Sequence, residues 1–358
     1  MSVAFGSHIS PLSTIPEVSF RHLSTLTDDN GLFEHADGTR ARKSHGYCVD
    51  DVARALVVVC RGVAARSRST TDDPTDLDGL AENYLSFVIA AQAHDGRFRN
   101  RRSLGGHWQG WATVEDCWGR ALWGLGTAAS TFPTEHGRDA ATAAFVRGAR
   151  QRSPWVRPMA FAAVGAWELL RILPENNGAL SLLAAAADTI GRPHSSGAWP
   201  WPEDRLHYAN AVIPQALILA GSALNDDALL SDGLFLLDWL VEEEKSGAHY
   251  SFTPVGGRSL GDPIPEFDQQ PIEAAALANA CAYAFEITSD GRWADAIDLA
   301  VAWFLGTNDS GVALYDPQTG GGYDGLEREG RNENQGAEST LAALSTLQHG
   351  HSLRTVVR

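Results

Sequence analysis

Hydrophobic positions along this chain fall into two alternating kinds of stretch. The first keeps a polar stripe on a helical period, over about 16–27, 78–93, 137–150, 177–190, 226–244 and 290–306. A helix patterned this way lies at a surface with one side in water. Asp and Ser lead several of these stretches, as helix N-caps do. The second kind is Ala-rich and apolar nearly all round, over about 48–62, 114–129, 154–171, 206–224, 268–287 and 332–348. Helices apolar on every side are buried on every side.

The order is outer then inner, six times over. Repeats of this size build an open solenoid or a closed ring, and six pairs without distinct polar end units favour closure. The expected fold is therefore all-α: an (α/α)6 toroid of six helical hairpins, twelve main helices in all, with residues 1–358 as one domain. The loops leading from outer to inner helices are long and alike: NGLFEHADG, DGRFRN, SGAWPWPED, SGAHYSFTPVGG and SGVALYDPQTGGGYDG. Gly followed by alternating aromatics predicts short β-hairpins there. The reverse connections are short, so the elaborated loops gather on one face, where sites tend to sit.

Composition narrows the function classes. The formal charge is −16, which argues against a nucleic-acid partner or an anionic membrane and is compatible with a neutral ligand. No apolar run reaches the ~18–20 residues that span a bilayer. Met1 to Pro16 lacks a basic region followed by a long apolar one, so no signal peptide is expected and the expected location is cytoplasmic. Cys48, Cys60, Cys117 and Cys281 form no CxxC pair and fall in or beside apolar stretches, which predicts buried thiols rather than a metal or redox motif.

In such a ring all inner helices point their N-termini at one face, so the residues that open them converge. These are Tyr47, Asp50 and Asp51; Glu115, Asp116 and Trp118; Tyr208 and Asn210; Asp268, Gln269 and Gln270; and Asn334, Gln335 and Glu338. A carboxylate at a helix start is ordinarily a cap. Caps do not call for Gln-Gln, Asn-Gln or Trp-Pro-Trp beside them. Amides, carboxylates and flat aromatic faces together are what sugar hydroxyls and ring C–H faces demand. Glycosidic cleavage needs two carboxyl groups flanking the bond. Asp51 and Asp116 are the first choices, with Asp50, Glu115 and Glu338 behind them. Trp108, Trp111, Trp199, Trp201 and Tyr208 are the candidate stacking rings, and Asn210, Gln269, Gln270, Asn334 and Gln335 the candidate partners for hydroxyls. Arg54 lies three residues past Asp51 and Arg120 four past Asp116, within reach on one helical face. An acid so paired is expected to stay ionised, leaving its unpaired neighbour as the proton donor. The chain has no GxSxG, no Walker A loop, no GxGxxG opening a βαβ unit and no HExxH, so no metal or cofactor is expected. His45, His107 and His207 each precede an inner helix and are candidates for moving protons.

The six-hairpin plan resembles the (α/α)6 glycosidases over nearly the whole chain. YCVDDVARAL is similar to the twin-aspartate motif of the endo-α-1,6-mannanases, which implies acid/base and nucleophile roles for Asp50 and Asp51. GYCVDDVARAL (46–56), EDCWGRALWGLG (115–126), YDPQTGGGYDGL (315–326) and NQGAESTLAAL (334–344) resemble bacterial glycosidase-related domains found beside glycosyltransferases and mannoside phosphorylases. The resemblance implies a glycan-active enzyme on a neutral oligosaccharide, with a mannose-containing one as candidate and a glycosyltransferase as candidate partner. The alternatives are a non-catalytic glycan-binding partner of a glycosyltransferase and a cofactor-free sugar epimerase or isomerase.

Overall fold

The computed structural model describes residues 14–66, 73–193 and 198–356. Most of the segment read for a leader, and the first two residues of SGAWPWPED, lie outside them. Among the described residues are twelve α-helices: α1 (Arg21–Thr25), α2 (Val49–Ala65), α3 (Leu77–Ala91), α4 (Asp116–Thr131), α5 (Glu135–Gly148) and α6 (Val156–Leu170), then α7 (Asn177–Ile190), α8 (Val212–Leu224), α9 (Asp227–Glu243), α10 (Pro271–Thr288), α11 (Gly291–Phe304) and α12 (Ala337–Val356). The even-numbered helices pack side by side in sequence order, and α12 returns to pack on α2, closing an inner ring. The odd-numbered helices lie outside, α3 on α2, α5 on α4 and so on, with α1 on α12. The expected (α/α)6 toroid is the fold observed.

Two inner helices begin later than their apolar pattern. α8 starts at Val212 rather than near 206, because the chain turns through Ala209 at a φ of 46°. α10 starts at Pro271, whose missing N–H costs nothing in a first turn. The hairpins are short antiparallel pairs, such as Thr27–Asp28 with Gly31–Leu32 and Tyr315–Asp316 with Gly321–Gly322. The described part of the SGAWPWPED loop makes none; two residues beyond it, Leu206 forms an isolated bridge with Arg258.

Close helix contact depends on glycine at one crossing. A Cβ on Gly126 of α4 would stand 2.1 Å from the carbonyl oxygen of Gly165 on α6. The four cysteines are buried and free, as expected. No described helix is long and apolar enough to cross a membrane.

Capping separates the two rings. The outer helices α3, α5, α7, α9 and α11 each donate a first-turn N–H to an N-cap side chain, that of Asp76, Thr134, Asn176, Asp226 and Asp290 respectively. The inner helices α2, α4, α6, α8 and α10 have no side-chain cap bond. Their acids therefore do not serve as caps, and the positive ends of five helix dipoles stay directed at the loop face.

Candidate active site

A cavity of about 340 Å³ opens on that face, at the small end of the ~300–1,000 Å³ range of ligand pockets. The first two turns of α2 bring Asp50, Asp51 and Arg54 into its wall, α4 brings Arg120, and α12 brings Glu338 and Ser339. The loops add Glu34, His35, Arg101, Gln270 and Asp324.

Arg54 holds the site together. One terminal nitrogen lies 2.5 Å from Asp51 and the other 2.9 Å from Glu338. A planar fork with fixed donors orients both acids at once, and keeps the facing oxygens within roughly 8 Å of each other. Arg120 stands 3.8 Å from Asp50 and 3.6 Å from Asp116. Asp50 also accepts a hydrogen bond of 2.8 Å from the Asn100 amide.

The two acids on Arg54 are displaced in opposite directions. Burial pushes the Asp51 carboxyl up to about 7, Arg54 offsets only part of this, and Glu338, Glu34 and Asp50 add to the rise. Burial also disfavours ionised Glu338, but the charges of Arg54 and Arg120 and the Arg54 hydrogen bond outweigh it and hold this carboxyl below its usual value. The Glu338 side chain is 43% exposed, whereas that of Asp51 is almost fully covered. The expectation that the arginine-paired Asp51 stays ionised is thus corrected: pairing is present, but removal from water dominates.

Other expected residues lie around or away from this centre. Asp116 sits beside the cavity, accepting a 2.8 Å hydrogen bond from the Tyr208 hydroxyl. Glu115 is exposed and within reach of the Thr113 hydroxyl. Gln270 lines the cavity, while Asp268 is exposed nearby. Gln269 is buried behind it, accepting from the Phe252 and Trp303 N–H groups and donating to Asp309. Gln335 binds Thr319, and Asn334 accepts from the Gly38 N–H. Asn210 is buried between Arg157 and Glu273.

Several aromatic rings belong to the packing. Tyr47 is buried against Phe33 with its hydroxyl on Asp28. Trp118 is buried and donates to the Gly148 carbonyl. Trp201 is fully covered and, with Trp199, packs on Trp239, so both anchor a loop rather than line the cavity. Trp108 packs on Phe87, and Trp111 is 91% exposed.

Glu34, His35, Arg101 and Asp324 escaped the sequence reading because they come from a short strand and from the links between hairpins, where no helical period marks an inward position. His45 does not line the cavity; it stacks edge-on against His35 at 4.8 Å. Glu34, Cys48 and Asp51 each place a ligand atom within 4.8 Å of the others. Arg101 and Arg54 already occupy the two carboxylates, and burial raises the Cys48 thiol well above its usual value.

A closed ring of six helical hairpins is a fold this chain shares with solved structures of low sequence identity. The chain is similar to a D-mannose isomerase at 10% identity, with 93% of this chain and 94% of that one covered and a TM-score of 0.66. It is similar to the cellobiose 2-epimerase of Spirochaeta thermophila at 11% identity, over 94% and 93% of the chains, with a TM-score of 0.65. It is also similar to an α-1,6-mannanase of Salegentibacter at 12% identity, over 93% and 96%, with a TM-score of 0.62. That mannanase is an inactive variant with asparagine at two consecutive aspartate positions, in complex with α-1,6-mannotriose. No family sequence model matches the chain, and no curated protein matches it by sequence.

Proposed function

We propose that the protein is a glycoside hydrolase acting on a neutral oligosaccharide, with mannose-containing glycans as the first candidates. The observation that carries this reading is the pair of cavity carboxylates on one guanidinium, Asp51 raised to about 7 and Glu338 lowered. Two carboxyls whose environments drive them apart divide the roles of acid and base. Asp51 is the proton donor to the departing glycosidic oxygen, and Arg54 stabilises the carboxylate left behind. Glu338, ionised, is the second carboxylate, acting on water or on the anomeric carbon itself; the roughly 8 Å limit set by the Arg54 fork accommodates either geometry. Asp116, first chosen from sequence as the partner of Asp51, gives way to Glu338, because Asp116 is turned to Tyr208. The consecutive acids Asp50 and Asp51, like the consecutive positions replaced in the inactive mannanase, favour mannosides.

A second reading, a sugar isomerase or epimerase, is favoured by the His35 imidazole in the cavity wall and by the likeness to proteins of those activities. Incubation with a panel of neutral oligosaccharides, products read by mass, separates the two. Shorter sugars carrying one added water support the hydrolase. Products of unchanged mass but altered chromatographic position support the isomerase. An unaltered panel overturns both.

A further inference from the structure

Outside the cavity, Tyr208 is an exposed aromatic held with unusual firmness. It is 42% exposed, yet three separate groups fix it. Its hydroxyl donates to Asp116 at 2.8 Å, and Asp116 lies 3.6 Å from Arg120 in the cavity wall. The Arg157 guanidinium lies 4.8 Å from the ring centroid, on one face, and its Nε donates to the Tyr208 carbonyl at 2.6 Å. The next residue, Ala209, has a φ of 46°, a conformation that costs a non-glycine residue energy. Buried Glu273 holds it there, accepting from the Ala209 and Asn210 N–H groups at 2.5 and 3.0 Å and from the Asn210 amide at 2.9 Å.

Arg157 is itself buried and fixed by Glu203 at 2.7 Å and Asn210 at 3.1 Å. A surface tyrosine with only a packing role needs none of this. A buried arginine, a buried glutamate and a strained alanine together preset one ring beside the cavity, as supporting residues do around a working site. Trp155, two residues before Arg157 at the N-cap of α6 and 52% exposed, adds a second ring to the rim at the next inner-helix start.

We propose that Tyr208 is the stacking plate of a second sugar subsite, one that takes a pyranose unit of a neutral oligosaccharide beyond the unit in the cavity, with Arg157 and Glu273 as its positioning residues. This rests on the reading of the cavity as a glycan site. The route from one subsite to the other is traced by the contacts Asp50–Arg120–Asp116–Tyr208. Recognition is of the flat C–H face of a sugar ring, so it adds affinity with chain length.

The test is calorimetric binding of mannose and glucose oligosaccharide ladders of two to five units, in the wild type and in variants. The quantity read is the gain in affinity from the disaccharide to the pentasaccharide. The wild type gains with length, and Tyr208→Ala loses about tenfold of that gain, the worth of one aromatic face. Tyr208→Phe keeps the ring without the hydroxyl and keeps the gain. Arg157→Gln reproduces the loss seen in Tyr208→Ala, which a purely structural role would not confine to long ligands. Should Arg157→Gln fail to fold, the exposed Tyr208 variants still decide the matter. An unchanged gain in Tyr208→Ala, or a Tyr208→Phe that behaves as Ala, overturns the subsite and leaves the cavity reading standing. No binding of any oligosaccharide by the wild type overturns both.

Discussion

Replacing Asp51 with Asn tests the central electrostatic argument, because the amide keeps the shape and the oxygen facing Arg54 while removing the ionisation. In the unfolded chain the Asp51 carboxyl ionises near 3.8; in the folded protein it does so near 7. The folded state therefore holds the extra proton between these values and loses stability as pH rises through that window. The separation corresponds to a penalty on the order of 4 kcal/mol above pH 7, undiminished by solvent because the side chain is only 5% exposed. With roughly 2.1 cal/mol/K of unfolding entropy per residue, a 358-residue chain converts that penalty into about 5 °C of melting temperature. Asp51→Asn, uncharged throughout, is thus expected to melt about 2 °C above the wild type at pH 5, where the unfolded carboxyl is already ionised, and about 5 °C above it at pH 8. The assay is differential scanning fluorimetry of both proteins across pH 5–8. A gap that stays flat, or a variant that grows less stable as pH rises, would show that Asp51 is an ordinary ionised partner of Arg54, and its role as proton donor would fall with it. On a cleaved substrate the same variant should lose ~10²–10⁴ in turnover, the worth of a positioned acid.

Three further outcomes follow from the same geometry. The wild-type pH profile of kcat/KM should be bell-shaped, its alkaline limb near 7 from Asp51 and its acidic limb below the usual glutamate value because Glu338 is held ionised; Glu338→Gln should lower kcat by ~10²–10⁴, and a variant with wild-type kcat refutes the pairing. Trp201→Ala removes a fully buried ring and should cost ~3–5 kcal/mol of stability in chemical denaturation while leaving oligosaccharide affinity in calorimetry at the wild-type value. Gly126→Ala forces a Cβ to 2.1 Å from the Gly165 carbonyl oxygen and should destabilise by roughly 1–3 kcal/mol or more; a wild-type denaturation midpoint would show that α4 and α6 can separate without cost.

Both the helices and the short hairpins of the long loops are legible in the sequence; which loop residues reach the cavity is not. An inner helix such as α4 is legible because nearly every position from Cys117 to Ala129 is buried, and an all-round apolar run admits few other structures. An outer helix such as α9 is legible because Asp226 caps it and its buried Leu residues keep one stripe. The ion pairs of Arg54 and Arg120 were readable from their spacing, since three and four residues bring side chains together on a helix. Which of those acids titrates high was not, because it depends on burial contributed by distant segments. Glu34, His35 and Asp324 reach the cavity from links between hairpins whose placement is set by the whole ring. Trp201 misled for the opposite reason: a Trp-Pro-Trp loop looks the same in sequence whether its rings face a sugar or, as here, Trp239.

The packing of α12 onto α2 and of α1 onto α12 has a consequence for how the molecule comes into being. An open array of hairpins can fray from either end and can assemble unit by unit, each piece as stable as its neighbours make it. In this ring the segment before α2 is tied to the last hairpin, by His22 to the Gln335 carbonyl and by His351 to that of Pro16. Neither the segment before α2 nor α12 is free to peel, so the ring should melt as a single cooperative unit. During synthesis the order matters as well. Asp51 and Arg54 leave the ribosome well before Glu338. Until α12 docks, Arg54 holds one acid and lacks the other, so the cavity wall is incomplete until that helix takes its place.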